Sequence, residues 1–144
     1  MNQGKYEAIS RILVAIDGSE ASNKAVALGA EMAKSMAAQL AILHVVEIEE
    51  LPSLIAEAED EGEEEMGQMI LGDAAKISKV YGVEPTIVLR KGHPVSQILH
   101  YADTYRPQLI IMGSRGRTGA KKALLGSKSS AVSRRAKCSV VIVR

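Results

Sequence analysis

Five short apolar runs alternate along this 144-residue chain with longer segments that have helical periodicity. A run that is apolar at successive positions predicts a strand buried on both faces, as in a parallel sheet. The alternation therefore predicts one α/β domain over residues 1–144, a doubly wound parallel sheet with helices on both faces. The predicted strands are Arg11–Ile16, Leu40–Val46, Thr86–Arg90, Leu109–Met112 and Ser139–Val143.

The intervening helices are predicted from apolar spacing and from residues that start or stop a helix. They run from the N-cap Ser19 to about Gln39, from about Glu64 to Val80 with Gly82 as a stop, from Pro94 to before Pro107, and from Ser129 to Ala136. Glu47–Glu65 is less regular, because it holds ten acidic residues and no basic one, and Pro52 and Gly62 interrupt it. We expect a loop there, with a frayed helical start after Pro52.

Composition excludes several classes of function. The chain has four Tyr, no Trp and no Phe, which argues against aromatic platforms for single-stranded nucleic acid, and its net charge is only +1. The one cysteine, Cys138, cannot form an intramolecular disulfide and fits a reducing, cytoplasmic location. No apolar run approaches the roughly 18 residues of a membrane span, and the first residues lack the apolar core of a signal peptide. The three histidines do not have the spacing of metal ligands.

The net charge is near zero, but the charged residues are unevenly distributed along the chain. Arg106–Arg144 contains ten Lys or Arg residues and no acidic residue, in contrast to the acidic Glu47–Glu65. Basic charge near a glycine-rich loop favours phosphate binding. Alternatively, the basic residues only form a face that is exposed to solvent.

A glycine-rich loop follows the fourth predicted strand. Gly113, Gly116, Gly126 and Ser127 form the pattern G-x2-G-x9-G-[S/T], while the Walker A and G-x-G-x-x-G patterns are both absent from the sequence. Glycines let a backbone approach an anion, and the start of the following helix adds N–H donors and partial positive charge. The loop therefore predicts a phosphate site. Backbone geometry alone is the competing explanation for its glycines.

The predicted topology also indicates where a ligand would bind. In doubly wound sheets, ligands lie beyond the carboxyl ends of the strands, at the point where the strand order switches. Two loops qualify, Asp17–Ser19 after the first strand and the loop from Gly113 after the fourth. We expect them to lie side by side.

With these motifs, the sequence from Arg11 to Arg144 resembles a universal stress protein of the single-domain type. The likeness lies in Ile12–Ser19, Leu43–Val45, Lys91–Pro94, Ile110–Gly116, Leu124–Ser127 and Cys138–Val143. The resemblance implies a Rossmann-like, five-stranded parallel sheet of order 3-2-1-4-5. Family members that keep the glycine pattern generally bind ATP, so it also implies an adenine-nucleotide-binding module of the stress response, with Mg²⁺ held mainly by the phosphates.

The same resemblance assigns roles to individual residues. Asp17 matches an acidic residue near the adenosine moiety, and Val45 matches a residue whose backbone faces the adenine edge. Gly113 and Gly116 match glycines that let the loop wrap the ribose and phosphates, and Gly126 and Ser127 match a pair that donates to phosphate oxygens. Arg115 lies inside the loop, where a cation could neutralise phosphate charge. Ala15, Met112 and Lys128 complete the predicted cofactor-binding residues.

Some of these assignments have alternatives. Asp17 could serve only as a turn former or helix cap, and Ser127 could be the N-cap of the last helix, a role compatible with phosphate contact. Lys128 departs from the small apolar residue that is frequent at its position in the family, so it either adds a phosphate contact or points outward. His44 lies within a strand, where we expect it to be packed or hydrogen-bonded rather than catalytic.

Three functional hypotheses follow. The first is a regulatory module switched by ATP. The second is a slow ATPase or phosphotransferase, for which Asp17 is the only obvious catalytic candidate. The third is a protein-interaction scaffold with an incidental nucleotide. No catalytic residue is assigned. The last strand is expected at a sheet edge, where an exposed strand can pair with a second copy. Family members usually dimerise through this strand, so the resemblance implies a homodimer. We also expect a protein partner, which the sequence does not identify.

Overall fold

A parallel sheet forms the centre of the molecule. The computed structural model describes residues 6–48, 53–114 and 126–144. All strand pairs are parallel, and their order is β3-β2-β1-β4-β5, which confirms the predicted fold. The elements in chain order are β1 (Arg11–Ile16), α1 (Glu20–Met36), β2 (Gln39–Glu47), α2 (Ser53–Val80), β3 (Thr86–Gly92), α3 (Pro94–Tyr105), β4 (Leu109–Gly113), α4 (Ser127–Arg135) and β5 (Ser139–Val143).

Each face of the sheet carries its own aliphatic core. Ile12 and Val14 point to one face, where they pack with residues of α1 and α2. Leu13 and Ala15 point to the other, together with Ile98 of α3 and Val132 of α4. This alternation is the reason for the continuous apolar run in β1, since every side chain of a central strand is buried on one face or the other.

The strand order switches at β1. The chain passes from β1 to β2 and β3 on one side, then crosses to β4 and β5 on the other. The carboxyl ends of β1, β2 and β4 therefore share one edge of the sheet, where doubly wound sheets have their ligand crevice, and the β1–α1 turn and the start of α4 both lie at this edge.

The prediction for the acidic segment was right only in part. A helix does begin directly after Pro52, as expected, but α2 runs without a break from Ser53 to Val80, where a loop before about Glu64 was expected. Seven of the acidic residues, between positions 57 and 65, belong to this helix, and none of them lies in its first turn. Glu64 also forms an ion pair with Lys91 at 2.8 Å, which ties the middle of α2 to the end of β3.

Other boundaries shift by a few residues. β3 continues to Gly92, whose φ of 138° only glycine adopts readily. α4 begins at Ser127, two residues before the predicted helical segment, and its N-cap is Gly126, which rules out the alternative role of Ser127 as the N-cap. Pro94 does occupy the first position of α3, as expected. In the described part of the chain, none of the helices combines the length and apolar character needed to cross a membrane.

Candidate functional site

The floor of the crevice is apolar. Ala15 of β1 lies opposite Met112 of β4 in the sheet register, and both are 6% exposed. On the other side of β1, Ala15 pairs with Leu43 of β2. Val45 lies two residues beyond Leu43 in β2 and packs against the same core. The structure therefore brings Ala15, Val45 and Met112 together on the face covered by α3 and α4.

The turn from β1 into α1 is built by short polar side chains. Asp17 Oδ1 accepts a hydrogen bond from the Ser19 amide at 2.9 Å, and Gly18 takes a φ of 85°. Ser19 is the N-cap of α1, as predicted, and its Oγ accepts from the Ser22 amide at 3.1 Å. Asp17 is thus a turn former, and the turn holds its carboxylate at the carboxyl end of β1, beside the crevice.

Gly113 is where β4 meets the start of α1. A Cβ atom at this position would lie 2.9 Å from Ala21 Cβ and 3.0 Å from both the Ala21 carbonyl carbon and the Ser22 nitrogen. Such distances are too short for any larger residue unless the helix shifts. The absence of a side chain therefore lets the end of β4 lie against the first turn of α1, while residues 115–125 of the second predicted loop lie outside the described residues.

The two ends of the glycine-rich loop are joined by hydrogen bonds. The Ser114 amide donates to the Val143 carbonyl at 2.7 Å, and the Gly126 amide donates to the Ser114 carbonyl. Ser129 Oγ donates to the same Ser114 oxygen at 3.2 Å. The start of α4 is thus fixed against the end of β4. The sequence offered no signal for the roles of Ser114 and Ser129.

The first turn of α4 presents backbone donors. Its N-cap, Gly126, has no side chain to accept from them, and its own amide is already bonded to Ser114. The next amides, beginning with Ser127 and Lys128, have no intrahelical acceptor because no carbonyl precedes them in the helix. The exposed Ser127 adds a hydroxyl. This arrangement suits an anion, which the helix dipole also favours.

An ion pair crosses above the crevice. Lys128 Nζ lies 3.1 Å from Glu47 Oε1, so the second residue of α4 is linked to the last residue of β2. Because β1 lies between β2 and β4, this pair spans the carboxyl end of β1. Glu47 was not predicted as a site residue, since its sequence context indicated only an acidic run. Arg115 and Gly116, both predicted site residues, lie outside the described residues.

The histidines and the cysteine do not form a reactive centre. His44 is buried, and its Nδ1 lies 2.9 Å from the Ile16 carbonyl, which confirms the expected structural role. Burial raises the pKa of the half-buried Cys138 thiol and so disfavours the reactive thiolate. Over residues 6–48, 53–114 and 126–144, no three His, Cys, Asp or Glu side chains are grouped as metal ligands would be.

A family model described as "Universal stress protein family" matches residues 8–144. The chain belongs to the universal stress protein family. It is 37% identical over 146 residues to the universal stress protein YxiE of Bacillus subtilis, a match that covers 94% of this chain and 99% of that relative.

Solved structures agree with this assignment. The fold of this universal stress protein superimposes on that of UspA from Lactobacillus plantarum with a TM-score of 0.87, at 23% identity, over 96% of this chain and all of the other. A second structure, described as a universal stress protein in complex with cAMP, matches with a TM-score of 0.71 at 27% identity, over 96% and 98% of the two chains.

Proposed function

We propose that this universal stress protein binds an adenine nucleotide, with ATP as the full ligand, at the carboxyl edge of its sheet. The observation that carries the proposal is the first turn of α4, whose backbone donors lack intrahelical acceptors directly beside the strand switch point. The related protein described in complex with cAMP supports the adenine part of the assignment.

The crevice offers a different surface to each part of the nucleotide. The apolar floor of Ala15 and Met112 suits a purine ring, and the backbone of Val45 is assigned to its edge. The Asp17 carboxylate is assigned to the ribose hydroxyls, which a carboxylate can accept from. Gly113, Gly126, Ser127 and Lys128 are assigned to the phosphates. Arg115 and Gly116 are assigned to them from the sequence alone.

Mg²⁺ fits this assignment as a companion of the phosphates. Mg²⁺ in nucleotide sites is held by substrate phosphates, waters and one or two carboxylates. Asp17 is the carboxylate of the β1–α1 turn, and Gly113 at the end of β4 packs against the first turn of α1 that follows it. The ion would neutralise phosphate charge. No catalytic residue is assigned, and we propose that the bound nucleotide acts as a regulatory signal in the stress response rather than as a substrate for rapid turnover.

Calorimetric titration with ATP and Mg²⁺ tests the proposal. We expect saturable binding, weakened roughly tenfold or more in Ser127→Ala, since a hydrogen bond to a charged group contributes about 1.5–3 kcal/mol. Ser133→Ala is the matched control, because Ser133 lies on the same helix but its exposed Oγ bonds to the Ser130 carbonyl at 2.8 Å. Absence of saturable binding at millimolar ATP in the folded protein would refute the proposal.

We also propose that the protein acts as a cytoplasmic homodimer that pairs through β5 and presents the nucleotide state to a protein partner. β5 is an edge of the sheet, and its residues 140–143 are only partly buried in the single chain. Exposed strand edges pair readily with a second copy. Light scattering with and without ATP measures this, and a monomeric mass under both conditions would contradict the dimer.

A further inference from the structure

The ion pair between Lys128 and Glu47 joins the two sides of the nucleotide crevice. Glu47 ends β2, two residues beyond Val45, so both side chains project on the face covered by α3 and α4. Lys128 is the second residue of α4 and belongs to the turn whose amides lack intrahelical acceptors. The 3.1 Å contact therefore lies between the adenine side and the phosphate side of the crevice.

The pair is accessible and weak enough to exchange. The side chains of Lys128 and Glu47 are 45% and 54% exposed, respectively. Ion pairs with this exposure contribute little to stability, because water and salt screen them and both side chains lose rotational freedom. A phosphate chain that approached the first turn of α4 would offer Lys128 several anionic oxygens in place of one carboxylate.

We propose that Glu47 holds Lys128 across the crevice in the nucleotide-free protein, and that the β- and γ-phosphates of a bound nucleotide take the Lys128 ammonium from Glu47. This inference rests on the proposed nucleotide function. Lys128 then favours nucleotides with a polyphosphate chain over nucleosides. Glu47 competes with the phosphates for Lys128 and so lowers the affinity for these nucleotides. Exchange of partners also releases Glu47, so the end of β2 differs between the free and bound protein.

Affinities of ATP and adenosine for four proteins test this exchange: wild type, Glu47→Gln, Lys128→Met and the double variant. We expect Glu47→Gln to tighten ATP binding roughly two- to fivefold, which corresponds to the loss of one exposed ion pair. Lys128→Met should weaken ATP binding about tenfold or more, because it removes a charged donor. Adenosine affinity should not change in any variant, since adenosine carries no phosphate.

The double variant separates exchange from simple repulsion. If Lys128 changes partner, Glu47→Gln has no effect on ATP binding once Lys128 is Met. An equal gain from Glu47→Gln with and without Lys128 would mean that Glu47 only repels phosphate, and would overturn the proposal. Unchanged ATP affinity in Lys128→Met would overturn it as well.

A matched control is available at the other end of the molecule. Lys137 and Asp103 form a more exposed pair at 3.2 Å, next to the amino end of β5. Asp103→Asn and Lys137→Met change the net charge in the same way but should leave ATP affinity within twofold of wild type. Comparable changes in these controls would overturn the inference while nucleotide binding itself stood. Failure of wild type to bind either ATP or adenosine would instead refute the proposed function, and this inference with it.

Discussion

Replacement of Gly113 by alanine should destabilise the fold even without any ligand. The new methyl group would lie 2.9 Å from Ala21 Cβ and 3.0 Å from two backbone atoms of α1. Backbone atoms in the first turn of a helix cannot rotate away as the end of a flexible side chain can. The end of β4 and the start of α1 must therefore separate by several tenths of an ångström.

The magnitude follows from two opposing contributions. Overpacking at such a contact costs about 1–3 kcal/mol. Alanine also restricts the unfolded chain, which returns about 0.4–1 kcal/mol, since Gly113 lies in a regular strand and does not have a positive φ. At the middle of both ranges the net loss is about 1.3 kcal/mol, or a fall in Tm of roughly 3–6 °C for a domain of this size.

Thermal and urea unfolding of the nucleotide-free protein measure this loss. Gly72→Ala is the matched control, because a Cβ at Gly72 would meet nothing within 4 Å. That change within helix α2 should raise stability by up to about 1 kcal/mol. A Gly113→Ala protein as stable as wild type would refute the argument that the close approach of β4 to α1 requires glycine at this position.

Three further changes test the packing and the caps. Ser19→Ala should cost about 1 kcal/mol in urea unfolding, because the Ser22 amide loses its capping acceptor. Gly29→Ala should cost about 2–3 kcal/mol in the same assay, since its Cβ would lie 2.6 Å from Val14 Cγ2, and Val14→Ala should restore part of the loss. Burial raises the pKa of Tyr105 from 10.0 to about 12, and the neighbouring Tyr101 contributes a smaller part of this rise. Stability from the neutral hydroxyl is therefore complete below pH 10 and is lost as the pH rises toward 12. Tyr105→Phe should show a smaller fall in Tm over that range.

The sheet could be predicted because its strands are buried on both faces. β1 has no position that tolerates a polar side chain between Ile12 and Ile16, and this pattern is readable without any knowledge of neighbours. The amino-terminal half of α2 could not be predicted in the same way. Like charges and Gly62 argue locally against a helix, whereas the contacts of α2 that the structure shows, such as the ion pair of Glu64 with Lys91, involve residues remote in sequence.

The place of the candidate site follows from the strand order, which could be predicted. Asp17 and Gly113 lie at the carboxyl ends of β1 and β4, as expected, and their role in binding stays a prediction. The ion pair of Glu47 with Lys128 could not be inferred, because the two residues are remote in sequence. Only the packing of β2, β1 and β4 brings the two residues together. Long-range pairs between exposed charges leave no periodic signal in a sequence.

The glycine pattern therefore combines two requirements that a sequence cannot separate. Gly113 is required by the first turn of α1, whether or not a nucleotide binds. Loss of binding in a Gly113 variant would report a displaced helix as readily as a lost ligand contact. Ser127 is exposed, and Lys128 holds only an exposed ion pair, so neither side chain supports the core. A selective loss of ATP affinity in variants of these two residues, with unchanged unfolding, is thus the result that would assign the pattern to a ligand.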